Sequence, residues 1–474
     1  MKVLYVASEA LPFVASGGLA DVAGSLPFAL RRRFVGARVV VPLYGKISDE
    51  MRSKMKYVCN FGVPVSWRMQ YCGIFEAHLD GVIYYFIDNE YYFKRDNLYG
   101  YYDDAERFAF FSRAVLEMLK HIDFKPDIIN CNDWQTGLIP VYYSLYYANT
   151  EKLRGIKTVF TIHNIQYQGQ YGMEILGDLL GIDESAKSLV EYDGCVNYMK
   201  GAIETADLVS TVSRSYADEI LDPWYSHGLD TILKQRAYKL RGILNGIDTV
   251  NYNPQTDKNI AQNYDSETFS LGKAACKEAL QKEFSLPVRG DVPVIGIVTR
   301  LVSHKGLDLI ENILDELLRT QDVQVVVLGS GDSEYEQFFL SMKGRYPDKL
   351  GVTIGFIPPL SRRIYAGSDM FLMPSKSEPC GLSQMIALRY GSVPIVRETG
   401  GLKDSITDSG DGRGNGFTFK TYNAHDMLFS IKRGIEGYRD KNGWSVLVKR
   451  AMESDNSWAK SAGEYIKMYK SLLK

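Results

Sequence analysis

The segment 377–384 reads Ser-Glu-Pro-Cys-Gly-Leu-Ser-Gln and places one carboxylate, Glu378, just before a predicted helix start. The apolar run 370–374 before it predicts a short buried strand, and a helical stretch over 384–390 follows it. Free backbone N–H groups at a helix start attract anions, phosphate above all. A carboxylate placed just before them can hold sugar hydroxyls. A sugar and a phosphate held side by side describe a nucleotide-sugar.

A second phosphate-type pattern lies near the N-terminus. A strand-length apolar run over 3–8 is followed by Ser16-Gly17-Gly18 and then by a helical pattern from Leu19 to Arg32. Adjacent glycines let a backbone approach a ligand closely, since no Cβ stands in the way. Taken alone, a plain tight turn explains this pattern equally well.

The third pattern is a pair of cations after a buried strand. The run 294–299 predicts the strand, Arg300 ends it, and Lys305 follows five residues later. Both cations could converge on a diphosphate, the arginine as a planar fork and the lysine as a point charge. For an isolated pair, two surface cations in a loop are the commoner explanation.

In combination these patterns resemble one family, the bacterial glycogen synthases and plant starch synthases, which are retaining glucosyltransferases. The matching segments run through nearly the whole chain in the family's order. They are 17–22, 131–136, 161–164, 242–248, 300–308, 378–384 and 399–402. This collinearity is far more specific than any single motif.

The chain departs from the family pattern at four places. Ala15 stands where the family's opening motif Lys-x-Gly-Gly-Leu has lysine, and Ser377 replaces the aromatic residue that usually precedes Glu-Pro-Cys-Gly. Asn130 occupies a position that is often histidine. The loop 356–359 lacks the polar and acidic residues that are common after its aromatic residue.

Composition bounds the class of protein. At 474 residues the chain is too long for one ordinary core, so two domains are expected. Its 45% hydrophobic and 24% charged residues are typical of a soluble globular protein. A net charge of -2 gives no reason to expect nucleic acid or an acidic membrane surface as partner. The six cysteines show no paired spacing, so neither a disulfide framework nor a metal site is expected, and no cofactor is implied.

These features favour a cytoplasmic protein. The N-terminus runs directly into a strand without a basic and apolar leader, and no apolar run approaches the roughly 20 residues needed to span a bilayer. The oligomeric state stays open.

Strands alternate with helices twice along the chain, which predicts an α/β protein with two Rossmann-like, doubly wound domains built on parallel sheets. The expected N-terminal domain covers 1–245, and a C-terminal helix over 458–474 packs back on it. The expected C-terminal domain, 246–457, binds the donor. In the resembled family the two domains face each other across a deep cleft, the GT-B fold. Strand candidates are 3–7, 38–41, 82–86, 127–130, 158–161 and 208–212, then 294–299, 323–328, 352–355, 370–373 and 393–396.

The resemblance also implies roles for individual residues. The catalytic set it implies is Glu378, His163, Arg300 and Lys305. The donor-binding set is Gly17, Gly18, Asp21, Asn245, Phe356, Gly381, Leu382 and Ser383. The acceptor-binding set is Tyr99, Asp133 and Trp134, and no metal is required.

Each of these residues also has a plain structural explanation. Asp21 and Asp133 could be helix caps, and Trp134 could be a core residue. His163 could be a hydrogen-bonded histidine at a strand end, and Asn245-Gly246 is a common turn pair.

Three functions follow. The preferred one is transfer of glucose from ADP-glucose to the non-reducing end of an α-1,4-glucan, with retention through attack from the leaving-group face. The second is a weakened or non-catalytic glucan-binding paralogue, which Ala15 supports. The third is a related retaining transferase with another nucleotide-sugar donor, which the altered 356–359 loop supports.

Overall fold

A computed structural model describes residues 1–474, and their contacts divide the chain into two compact units. The first unit comprises Met1–Gly246 and Trp458–Lys474, and the second comprises Ile247–Ser457. No helix in the chain is both long enough and apolar enough to cross a membrane.

The first unit contains twelve strands. In chain order they are β1 (Lys2–Val6), β2 (Gly36–Pro42), β3 (Lys56–Val65), β4 (Arg68–Leu79), β5 (Val82–Asp88), β6 (Ile128–Asn132), β7 (Lys157–Ile162), β8 (Gln170–Gly172), β9 (Glu191–Tyr192), β10 (Cys195–Asn197), β11 (Leu208–Thr211) and β12 (Leu240–Gly242). Nine of them form one sheet in the order β12-β11-β7-β6-β1-β2-β5-β4-β3, and β8, β10 and β9 form a small separate sheet.

The helices of this unit connect successive strands. They are α1 (Gly18–Arg31), α2 (Asp49–Arg52), α3 (Glu90–Phe93), α4 (Asp104–His121), α5 (Leu138–Tyr142), α6 (Ile175–Asp178), α7 (Tyr198–Thr205), α8 (Arg214–Glu219) and α9 (Asp230–Gln235). The C-terminal helix Trp458–Leu472 packs on α1, and Tyr469 donates a hydrogen bond to Asn130 Oδ1 at 2.8 Å. Asn130, one of the departures from the family pattern, therefore helps anchor this helix.

One edge of the large sheet corrects the expectation of purely parallel sheets. The strands from β12 to β5 pair in parallel, but β4 pairs antiparallel with both β5 and β3. The β3–β4 hairpin was not predicted. Its Lys56–Asn60 end has three exposed residues in succession, so the polar and apolar alternation that marks a half-buried strand is weak there.

The second unit has six strands, all parallel. They are β13 (Val294–Val298), β14 (Gln324–Gly329), β15 (Leu350–Ile354), β16 (Met370–Met373), β17 (Val393–Arg397) and β18 (Phe417–Phe419), in the order β15-β14-β13-β16-β17-β18. The central strands β14 and β16 are buried along their whole length because parallel strands are covered on both faces.

Eight helices accompany this sheet. They are α10 (Phe269–Glu283), α11 (Leu307–Thr320), α12 (Ser333–Arg345), α13 (Pro358–Gly367), α14 (Ser383–Arg389), α15 (Gly400–Ser405), α16 (Ala424–Arg439) and α17 (Lys441–Met452). Leu280 of α10 and Phe284, which directly follows that helix, join Ile364 of α13 and Val326 of β14 in one buried cluster.

Both sheets have a point where the strand order reverses direction. In the first unit this point lies between β1 and β6, and in the second it lies between β13 and β16. Ligands of open α/β sheets bind outside the carboxyl ends of the strands at this switch point. The segments after these four strands carry Gly17, Asp133, Lys305 and Glu378.

Candidate functional site

A lysine and a carboxylate meet at the switch point of the second unit. Lys305 Nζ lies 2.7 Å from Glu378 Oε2, and the two side chains are 16% and 9% exposed. Lys305 ends a short 3-10 turn after β13, and Glu378 lies in the middle of the loop after β16, so adjacent parallel strands bring them together. The pair places one positive and one negative group where each remains reachable from solvent.

The loop that carries Glu378 is held by close packing. Ser375, which is 2% exposed, donates from Oγ to Glu378 Oε2 at 3.0 Å. Gly401 donates its N–H to the Glu378 carbonyl at 3.1 Å. A Cβ added at Gly400 would lie only 2.0 Å from that carbonyl oxygen, so the start of α15 can approach the loop only as glycine.

The start of α14 lies directly after this loop. Gly381 has a φ of +70°, a conformation that glycine adopts without strain, and Leu382 takes the N-cap position. No side chain caps this helix start, and Gln384 instead folds back to donate to the carbonyls of Cys380 and Gly381. The first N–H groups, including that of Ser383, are therefore available to an anion.

Arg300 and Phe356 lie in neighbouring loops of the same unit. Arg300 is exposed directly after β13, and Phe356, which follows β15, is 88% exposed. The pKa of His304 is lowered, mainly by burial, and the charges of Lys305, Glu378 and Arg300 all act on it. Arg300 therefore lies near enough to the Lys305–Glu378 pair for its charge to act on the same histidine.

Asp133 and His163 meet at the carboxyl ends of β6 and β7 in the first unit. The Asp133 carboxylate accepts the backbone N–H of His163 at 2.7 Å and that of Asn164 at 3.4 Å. It does not cap the short helix that follows it, although Asp133 occupies the N-cap position. The pKa of Asp133 is raised to about 7, mainly by burial and also by the nearby Glu9, while the two backbone N–H bonds oppose this rise.

The imidazole of His163 is fixed by Asn132. Its Nε2 lies 2.9 Å from Asn132 Oδ1, while Asn132 Nδ2 donates to the Val6 carbonyl at 2.8 Å. Since Nδ2 is used there, Oδ1 accepts and Nε2 carries the ring proton. Burial lowers the pKa of His163 to about 3, so the ring is neutral near pH 7.

We expect the His163 ring to stay neutral from pH 5.5 to 8.5. Proton-coupled NMR of the six histidines labelled with ¹⁵N checks this, with the His163→Gln spectrum giving the assignment. Because the folded state disfavours the protonated ring, His163 makes folding less favourable as pH falls from 6.5 towards 3. A His163 resonance that titrates near pH 6.5 would contradict this expectation.

The N-terminal loop brings further polar groups to the first unit's switch point. Tyr99 OH lies 2.7 Å from Ser8 Oγ, and the buried Glu9 accepts a hydrogen bond from the Ser16 N–H. Gly17 is the N-cap of α1, and no side chain caps this helix. Gly18 is the first residue of α1, and no atom lies within 4 Å of the position that its Cβ would take. Asp21 lies in the first turn of the helix.

Two predicted residues are more enclosed than their proposed roles suggest. Trp134 is 9% exposed and packs on Phe108, Tyr171 and Tyr198, so little of the indole is accessible. Asn245 is 4% exposed, and its Oδ1 has no hydrogen-bond partner. Their roles towards a ligand stay predictions.

Four residues that contact the predicted site were not proposed as members of it. Gly400 and Asn132 fall within segments that match the family, so the motif match was an available signal. Ser375 and Glu9 carried no signal of their own, because their partners Glu378 and Ser16 are recognised only in the folded chain.

Comparison with known proteins agrees with this geometry. The family described as "Starch synthase catalytic domain" matches residues 2–235, and the family "Glycosyl transferases group 1" matches residues 279–445. The chain is 52% identical to a glycogen synthase of Clostridium botulinum (strain Alaska E43 / Type E3) over 477 aligned residues, which cover 100% of this chain and 99% of that one. A glycogen synthase of Desulforamulus reducens is 53% identical with the same coverage.

Solved structures give the same result. The catalytic domain of Starch Synthase IV from Arabidopsis thaliana, bound to ADP and acarbose, superposes with a TM-score of 0.90 at 34% identity over 99% of both chains. A sucrose-phosphate synthase from Thermosynechococcus elongatus shares the fold alone, with a TM-score of 0.61 at 15% identity over 100% of this chain and 99% of that one. The family prediction and the fold prediction are therefore confirmed: the chain belongs to the glycogen synthase family, and it is a glycosyltransferase with the GT-B fold.

Proposed function

We propose that the chain transfers glucose from ADP-glucose to the non-reducing end of an α-1,4-glucan with retention of configuration. The Lys305–Glu378 pair beside the open start of α14 is the observation that carries this proposal. Relatives that are 52% identical are glycogen synthases, and the Arabidopsis starch synthase was solved with ADP and acarbose. We also propose a cytoplasmic location for this activity.

The second unit supplies the groups for the donor. Arg300 and Lys305 neutralise the diphosphate, and the N–H groups at Leu382 and Ser383 bind its distal phosphate. Phe356, which is almost fully exposed, stacks on the base, and Glu378 accepts hydrogen bonds from hydroxyls of the transferred glucose. Donor binding therefore draws the Lys305 ammonium partly away from Glu378 and towards phosphate.

The first unit supplies the remaining groups that the family resemblance assigns. A neutral His163, whose Nε2 is held by Asn132, can contact the sugar without adding a positive charge beside the leaving group. Gly17, Gly18, Asp21 and Asn245 keep the donor-side role, and Tyr99, Asp133 and Trp134 keep the acceptor-side role.

Transfer then needs no metal and no second carboxylate. The acceptor hydroxyl attacks the anomeric carbon from the face of the leaving group, the bond from that carbon to the phosphate oxygen breaks, and the phosphate oxygen takes the hydroxyl proton. Arg300 and Lys305 stabilise the negative charge that develops on the departing ADP. Glu378 is already bound by Lys305 and Ser375, which suits a hydroxyl-binding role better than that of a nucleophile.

We expect ADP-glucose to be a better donor than UDP-glucose. Purified protein with a glycogen primer and each labelled donor gives the two values of kcat/KM, and NMR of a short extended primer gives the configuration of the new bond. A higher kcat/KM with UDP-glucose, or with a sugar other than glucose, would favour the third hypothesis, which the altered 356–359 loop supports. No transfer from any donor would favour a glucan-binding paralogue.

We expect Ala15→Lys to raise kcat/KM with ADP-glucose by about tenfold or more. A charge-assisted contact contributes roughly 1.5–3 kcal/mol, and about 1.4 kcal/mol is a factor of ten. Ala15 is exposed, so a lysine meets no packing conflict there. Ala15→Met, which has similar length but no charge, is the matched control. If the lysine variant is no faster than wild type on the same primer, the loop has been rebuilt and does not need the family's lysine.

A further inference from the structure

The Glu378 loop is tied to the rest of the second unit by one buried arginine. Arg397, the last residue of β17, is 9% exposed, and its Nη1 donates to the Lys376 carbonyl at 2.7 Å and to the Ser375 carbonyl at 3.4 Å. These two carbonyls lie within the three residues before Glu378. Arg397 therefore holds the backbone of the loop just before Glu378.

The same loop is tied to the Lys305 turn by its backbone. The Lys376 N–H donates to the His304 carbonyl at 2.9 Å. His304 directly precedes Lys305, and Lys376 lies two residues before Glu378. This hydrogen bond therefore links the backbone of the Glu378 loop directly to that of the Lys305 turn.

Tyr422 contacts both the Glu378 loop and the helix that follows Lys305. Its ring lies 5.6 Å from the Arg397 guanidinium and 5.8 Å from the Lys376 ammonium, and its hydroxyl donates to the Asp308 carboxylate. Asp308 lies in the first turn of α11, which begins just after Lys305. One aromatic side chain thereby contacts the loop of Glu378 and the helix that follows Lys305.

We propose that Arg397 and Tyr422 are positioning residues for glucose transfer, which fix the Glu378 loop against the Lys305 turn. The expected effect of these residues on catalysis rests on the proposed function, whereas their expected effect on the order of the loop does not. Both carbonyls are bound by Nη1, and the flat guanidinium lies 5.6 Å from the centre of the Tyr422 ring, a contact whose shape the compact ammonium of a lysine does not reproduce. The ring of Tyr422 holds the Arg397 guanidinium in its orientation, and the Tyr422 hydroxyl ties the ring to Asp308.

The test uses Arg397→Lys and Tyr422→Phe in the full chain. Arg397→Lys keeps the charge but not the planar guanidinium, and Tyr422→Phe keeps the ring but not the bond to Asp308. Tyr238→Phe and Arg439→Lys are matched controls, since both side chains are largely exposed. Tyr422 is only partly buried, so its variant is the one that folds if the arginine variant does not.

Two measurements are made on each variant. Amide hydrogen exchange of the peptides that cover 375–378 is expected to speed up by about tenfold in both test variants and in neither control. Steady-state kinetics with ADP-glucose are expected to show kcat lowered by about tenfold, with KM for the donor changed less than about twofold, because misplacing these groups affects the transition state more than binding.

The outcomes separate the two proposals. Unchanged exchange in Tyr422→Phe overturns the positioning role, and so does faster exchange with kcat unchanged. If wild type transfers no sugar from any donor, the proposed function fails, while the exchange measurement still decides whether Arg397 and Tyr422 hold the loop.

Discussion

Replacing Lys305 by alanine is expected to lower kcat for glucose transfer by about a hundredfold. The lysine is the cation closest to Glu378, at 2.7 Å, and it is still partly exposed. Losing one charge contact made in the transition state costs roughly 3 kcal/mol, and 1.36 kcal/mol is a factor of ten. The measurement is kcat with ADP-glucose at saturating glycogen primer. Lys420→Ala, at an exposed lysine of the same unit, is the control.

Glu378→Ala extends this prediction, because the two side chains form one ion pair. We expect it also to lose about a hundredfold in kcat, and we expect the double variant to lose much less than the product of the two single effects. Residues in direct contact are generally non-additive, whereas independent ones add. A double variant slower by about ten-thousandfold would show that the two residues act separately. A single variant as fast as wild type would remove that residue from the mechanism.

The positions of the chemistry-bearing residues could be predicted because parallel sheets obey simple rules. An apolar run of strand length followed by a polar loop marks the carboxyl end of a strand, and Arg300 and Glu378 each follow such a run. Adjacent parallel strands place these ends side by side at the switch point. The motif match supplied the roles, which strand patterns alone cannot give.

Contacts between loops could not be predicted in this way. Ser375 and Glu378 are near in sequence, but Arg397 and Tyr422 reach this loop only because β17 pairs with β16 and β18 pairs with β17 in the sheet. The hydrogen bond between Asn132 and His163 likewise depends on the pairing of β6 with β7. The order of strands in the sheet decides such contacts. A single sequence predicts where strands lie along the chain more readily than it predicts their order in the sheet.

For His163 and Trp134, the structural roles considered in the sequence analysis agree with what is observed. His163 is hydrogen-bonded at a strand end, which is also expected of a histidine that has no role in a site. Trp134 is largely buried among aromatic rings. Neither observation excludes a role in binding, because both residues lie at the carboxyl ends of strands next to Asp133. A single side chain can therefore serve packing and a site together, and burial alone does not distinguish the two.

Gly400→Ala is expected to destabilise the second unit by about 2–4 kcal/mol. Gly400 has a φ of +44°, and an added Cβ would lie 2.0 Å from the Glu378 carbonyl oxygen, which is backbone and cannot turn away. Relief of this clash must shift the Glu378 loop, so we also expect kcat to fall by about a hundredfold in the fraction that folds. Thermal unfolding should show a midpoint lower by about 4–16 °C.

Gly412→Ala separates the clash from the backbone conformation. Gly412 has a φ of +77°, also in the left-handed region, but no atom lies within 4 Å of the position of its Cβ. This variant carries only the backbone strain of about 1 kcal/mol, so its midpoint should fall by a few degrees and its kcat should stay at the wild-type value. Equal losses in the two variants would mean that φ alone requires glycine at Gly400. A larger loss at Gly400, together with the fall in kcat, would mean that α15 must lie this close to hold Glu378 in place.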